Sequence, residues 1–193
     1  MDGKEQPKKW PNTVAFQDEY TREFMASTKE VKEGYYLFKS KTGGYTMWFP
    51  KDAKIDRAFY EKHGNYFEAL HFGGGRDNES ISYYIRTTYE KREITEDVDL
   101  NVSLLSDEIH YNGDYEKMAL GDKKIYFGSS KQHISPNDSI YYFFGYVKSN
   151  ESHQAIQFIY SVTCKEAKGD CDIHLEKEED RAKMLMKSIK FQD

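Results

Sequence analysis

The chain has 193 residues, enough for one domain whose core needs no staples. Its net charge of −5 supplies no basic stripe to neutralise phosphates, which argues against nucleic acid as a partner. No apolar run approaches the roughly 20 residues that a membrane-spanning helix needs.

Aromatic residues make up 16% of the chain, with 16 Tyr and 12 Phe, and side chains of this kind favour pleated strands. Residues 1–11 are polar and rich in Lys and Pro, as in a tether, so a single folded body is expected over 12–193. The opening Met1-Asp-Gly-Lys-Glu-Gln-Pro-Lys-Lys9 has no hydrophobic signal segment. It reads either as a lipoprotein start in which Met1 stands where a lipidated Cys was, or as an ordinary frayed end.

Asn12-Thr13 can cap a helix over 12–33, with Phe16, Tyr20 and Phe24 forming one stripe. A β-hairpin follows: Tyr35–Ser40, a Lys-Thr-Gly-Gly turn, and Tyr45–Phe49, with Pro50 as the stop. Along the second strand Tyr45, Met47 and Phe49 share one side and Trp48 points to the other. Tyr66–Phe72 and Ser80–Glu90 form a second hairpin across a Gly-Gly-Gly-Arg-Asp-Asn tip. Thr95 opens a helix with Val98, Val102, Leu105 and Ile109 on its buried face, and Asn112-Gly113 ends it.

Lys123–Phe127 is the clearer strand of a short hairpin. Ile140–Val147 is apolar or aromatic on both alternating faces, which predicts a strand covered on both sides, and Ala155–Thr163 is its partner. A last helix starts near Glu176, with Leu185 and Ile189 toward the core. Its early Glu176, Glu178, Glu179 and Asp180 and its late Lys183 and Lys187 match the helix dipole. Ser188-Ile-Lys-Phe191 closes the chain as a short strand.

Cys164 and Cys171, the only cysteines, flank a polar loop whose ends can meet. A disulfide between them is expected, and with it a non-reducing, extracytoplasmic address. Two free thiols, or a metal site through Cys171 and His174, are the alternatives, but a structural zinc needs a fourth ligand.

The Gly44-Tyr45 to Pro50-Lys51-Asp52 hairpin, the inserted helix and the ending Ser188-Ile189-Lys190-Phe191 resemble the PsbP-like superfamily and bacterial lipoprotein domains of that fold. The resemblance covers about residues 35–191. It implies an α+β fold, an α/β/α sandwich around a mostly antiparallel sheet, to which the N-terminal helix is an addition. It also implies accessory or binding proteins without shared catalytic residues.

The chemistry motifs agree with that expectation. The six histidines lack paired ligand spacing, and no Gly-x-Ser-x-Gly nucleophile elbow occurs. The glycine triplet leads into a strand, unlike a phosphate loop, which leads into a helix. No catalytic, metal-binding or cofactor-binding residue is therefore assigned. Tyr35, Tyr36, Trp48, Tyr60, Tyr66, Tyr83 and Tyr84 exceed what one core needs, and His71 and Arg76 could hold an anion beside them. These form a candidate binding surface, weighed against plain packing of the sheet.

The reading that results is a non-enzymatic, extracytoplasmic binding or assembly protein, lipid-anchored in a membrane of the Gram-positive type. Its partner would be a protein of the cell envelope, and it would touch the membrane only through the anchor. A small-molecule or carbohydrate binder with an aromatic cleft is the alternative, followed by a hydrolase.

Overall fold

The computed structural model describes residues 9–76, 81–135, 138–164 and 173–193. Two one-turn helices come first, α1 (Val14–Gln17) and α2 (Glu19–Arg22), where one helix over 12–33 was expected. Asp18 causes the break. Its backbone is extended (φ −80°, ψ 115°), and its carboxylate accepts hydrogen bonds from the Thr21 amide at 2.9 Å and the Thr21 hydroxyl at 2.6 Å. A side chain that caps the next turn competes with continuation of the previous one.

This segment packs into the body. Phe16 and Phe24 are buried in the main core, Met25 bridges to Phe38, and the Ile55 amide donates to the Thr21 hydroxyl at 2.8 Å. Contacts also begin before residue 12: the Trp10 ring stacks on Phe16, and Pro11 accepts a hydrogen bond from the Gln17 side chain.

The strands are β1 (Tyr35–Lys39), β2 (Tyr45–Pro50), β3 (Ala53–Ile55), β4 (Glu61–His63), β5 (Phe67–Arg76) and β6 (Ile81–Glu90). Helix α3 (Val98–Ile109) separates these from β7 (Glu116–Leu120), β8 (Lys123–Ser135), β9 (Asp138–Ser149) and β10 (Ala155–Cys164). Helix α4 (Leu175–Ser188) and β11 (Lys190–Phe191) complete the chain. Among the described residues they form two antiparallel sheets. One is three-stranded in the order β1-β2-β11; the other is eight-stranded in the order β3-β5-β6-β10-β9-β8-β7, with β4 also on β5.

The glycine triplet lies within β5, where a hairpin tip was expected. The close approach of neighbouring strands explains it: a Cβ on Gly73 would sit 2.5 Å from the Tyr83 carbonyl oxygen, and one on Gly74 would sit 2.3 Å from that of Asp52. Only bare backbone fits between β3 and β6 there.

Strand β9 is covered on both faces, as its sequence predicts. Phe144 and Tyr146 meet Leu105 and Ile109 of α3, while Phe143 and Val147 belong to the main core. The fold is therefore α+β and layered, but the second cover is mixed. It consists of α4 together with the small sheet, which turns Tyr45, Met47 and Phe49 inward, all fully buried. Gln154, on the β9–β10 turn, joins the two sheets. Its side-chain amide lies 2.9 Å from the Tyr89 hydroxyl, 3.1 Å from the Gly44 carbonyl and 2.8 Å from the Gln192 carbonyl.

Helix α3 stops at His110, which takes the left-handed conformation (φ 54°) two residues ahead of the expected Asn112-Gly113 stop. The expected Cys164–Cys171 pairing lies outside the described residues.

Candidate functional site

The edge of the large sheet at β3 carries a cleft of about 560 Å³. Asp18 and Tyr20 line one wall, and Lys54 to Arg57 of β3 and the following 3-10 turn line another. The bare backbone of Gly73 and Gly74, with Tyr83 and Tyr84 of β6, forms the floor.

Local chemistry fixes each wall. The Asp56 carboxylate accepts from the Ala58 amide at 3.1 Å, capping the 3-10 turn Arg57–Phe59, and the Asp56 amide donates to the His71 carbonyl at 2.8 Å. The Arg57 guanidinium lies over the Tyr20 ring, 5.5 Å from its centroid. Burial pushes the Asp18 carboxyl pKa up, but the two Thr21 hydrogen bonds and the charges of Lys54 and Arg22 outweigh it and hold the pKa below the usual value. The cleft thus presents carboxylates and cations together.

An aromatic shelf adjoins it. Phe59 is 57% exposed and stacks flat on His71, with ring centroids 5.1 Å apart and planes at 9°. His71 meets Tyr84 edge-on, and its Nδ1 lies 3.2 Å from the Tyr84 hydroxyl. Burial lowers the His71 pKa, and the Arg86 charge lowers it further, against the opposing charges of Asp56 and Glu108. Arg86 in turn is paired with Glu108 of α3 at 2.6 Å. Flat faces beside hydrogen-bonding groups of both kinds suit a polar ligand with an apolar face.

The residues singled out in the sequence fall in several places. His71 and Tyr84 build the shelf, and Tyr60 stands one ring away from the cleft, edge-on to Tyr20 at 6.1 Å. Tyr35 and Trp48 lie together on the small sheet at 6.3 Å, with the Lys32 ammonium over Trp48, and Tyr66 sits under Arg92. Tyr36 does not belong to a binding surface: it is 2% exposed and packs edge-on against Phe16. Tyr83 is also buried but contributes to the floor of the cleft, its hydroxyl donating to Asp52 at 2.6 Å. The Arg76 side chain lies outside the described residues.

Sequence reasoning missed Asp18, Tyr20, Lys54, Asp56, Arg57 and Phe59. The signal for the last three was present in Asp56-Arg-Ala-Phe59, where an aspartate can cap a short turn that lifts the phenylalanine outward.

A larger concavity of about 880 Å³ lies between residues 91–96 and 148–153. Its buried Lys148 ammonium is engaged by the Ser149 and Ser152 carbonyls, each at 2.7 Å, and by Glu96 at 2.8 Å. Glu96 also lies 3.0 Å from His153 Nδ1, and the Lys148 hydrogen bond holds its carboxyl pKa below the usual value. These charges satisfy one another, so the smaller cleft is the better candidate. No three His, Cys, Asp or Glu side chains converge on a metal position among the described residues.

A family model described as "Putative lipoprotein YvcA" matches residues 11–190, a span that includes the whole cleft, the large sheet and all of the small sheet but Phe191. The "Putative lipoprotein YvcA" of Bacillus subtilis (strain 168) is 32% identical over 191 residues, covering 96% of this chain and 79% of that protein.

Proposed function

Since this chain belongs to the family described as putative lipoprotein YvcA, we propose that it is a lipid-anchored, non-catalytic binding protein of the cell envelope, held outside a membrane of the Gram-positive type. Its ligand in this reading is a polar molecule with an apolar face, of the carbohydrate class. The observation that carries this is the exposed Phe59–His71–Tyr84 shelf opening beside a cleft with charges of both signs. Non-catalytic recognition is favoured because His71 bonds to a tyrosine hydroxyl and to no carboxylate among the described residues. The PsbP-like kinship belongs to the same proposal. It is supported by the two motif segments, Gly44–Asp52 and Ser188–Phe191, which contribute the paired strands β2 and β11.

Calorimetric titration with neutral disaccharides, cellobiose and chitobiose first, tests the reading. Binding is expected to weaken at least tenfold in Phe59→Ala and in Tyr84→Ala while the thermal midpoint holds. Turnover of the sugar, or binding that both substitutions leave unchanged, would overturn it.

A protein partner is the second reading, favoured by the outer side of α3. Leu100 and Leu104, one turn apart, are 41% and 52% exposed, and Ile94 just before the helix is 48% exposed. Apolar side chains grouped this way on a surface commonly meet another protein.

A further inference from the structure

Three rings behind the cleft form a box. Tyr20 and Phe24 are edge-on at 5.4 Å, Phe24 and Tyr60 at 5.4 Å, and Tyr20 and Tyr60 at 6.1 Å, with interplanar angles of 72–75°. Rings at such angles can enclose a shared space, and a ring's face is the negative side of its quadrupole. The Lys41 ammonium occupies it, 4.3 Å from the Phe24 centroid, 5.0 Å from Tyr20 and 5.9 Å from Tyr60. All three distances fall within the range over which a cation is attracted to a ring face.

The box is supported from beneath. Phe24 stacks on buried Phe38 at 5.6 Å, and the fully buried Glu68 carboxylate takes hydrogen bonds on one oxygen from the Tyr60 hydroxyl and the Lys41 amide, both at 3.0 Å. The Tyr45 hydroxyl also interacts with this carboxyl group, which lies buried under the rings. Glu23 guards the mouth, 2.6 Å from the ammonium. The Glu23 carboxylate and three ring faces therefore select for positive charge. The mouth stays open to water: the Lys41 side chain is 33% exposed and that of Glu23 is 54% exposed. Lys41 projects from the turn between β1 and β2 and can swing out without disturbing either strand.

We propose that Tyr20, Phe24 and Tyr60 form a recognition site for an organic ammonium group, that Lys41 fills it in cis, and that a small methylated ammonium takes its place. A methylated cation meets the rings over more of its surface than a primary ammonium and leaves water more readily. The resident lysine is tethered, so it competes at an effective concentration on the order of millimolar and masks the site accordingly. The box shares Tyr20 with the cleft but no residue with the Phe59–His71–Tyr84 shelf, so its failure would leave the carbohydrate reading untouched.

The test is titration of the 193-residue protein with tetramethylammonium chloride at constant ionic strength, following the ring-current shift of the methyl protons. tert-Butanol serves as the neutral probe of similar shape. Lys41→Ala is expected to bind the cation at least tenfold more tightly than the parent, to ignore tert-butanol, and to lose the gain when Tyr60→Leu is added. Lys41→Gln, which keeps the chain length and removes the charge, repeats the measurement should Lys41→Ala fold poorly. A folded Lys41 variant that binds no more tightly than the parent, or binds equally with Tyr60→Leu, would overturn the proposal.

Discussion

Asp18 does three things with one carboxylate: it ends α1, caps α2 and lines the cleft. The sequence stripe Phe16, Tyr20, Phe24 located the correct inward side, because all three rings do pack toward the core or its rim. Spacing cannot register that the backbone turns between them, since the competing bond comes from a side chain. Asp18→Ala removes a cap and is expected to cost about 1 kcal/mol at pH 7. That corresponds to a fall of roughly 2–4 °C in thermal midpoint for a domain of this size. The pH dependence has a definite sign. The folded carboxyl titrates below its unfolded value of about 3.9, so its contribution is present above that pH and disappears as pH falls through the lowered value. Midpoints of parent and variant should therefore differ at pH 7 and converge in acid.

Elements were most legible where burial is one-sided or complete. The stripe assigned to α3 contains both of its buried residues, Leu105 and Ile109. Its end was misjudged because His110 supplies the left-handed residue that the pattern Asn112-Gly113 advertised. Strand β8 was underestimated for a different reason. Beyond Phe127 it continues to Ser135 through Ser, Lys, Gln and His, held by pairing to β9 and not by apolar alternation. Neighbouring leucines on α3 separate packing from exposure. Leu105→Ala is expected to cost about 2–5 kcal/mol by leaving a hole against Phe144 and Ile159. Leu104→Ala should stay within about 0.5 kcal/mol. Urea titrations of the two variants decide it, and equal losses would contradict the assignment of the inward face.

At the scale of the molecule, the sequence anticipated a sheet with cover on both faces but supplied helices for both. The β1–β2 hairpin looked complete on its own, and nothing local showed that its partner strand lies at the far end of the chain or that it would roof the large sheet. The cleft was hidden for the same reason, because its walls come from four separated segments. One core runs through the large sheet, the small sheet, α4 and the N-terminal segment. Unfolding should accordingly be a single cooperative event. Trp10 and Trp48 report the N-terminal segment and the small sheet, while far-ultraviolet dichroism is dominated by the large sheet. The two signals should give coincident urea curves, and separated midpoints would show that the roof opens independently.

The small sheet has a bearing on how the chain is made. It unites β1 and β2 with β11, and the Gln154 amide seals that junction only after β9 and β10 exist. A polypeptide that emerges from a ribosome or a translocon with its N-terminus leading must hold Tyr45, Met47 and Phe49 in waiting until β11 appears. Closure of the roof thus waits for β11, which keeps the earlier strands threadable until that segment arrives.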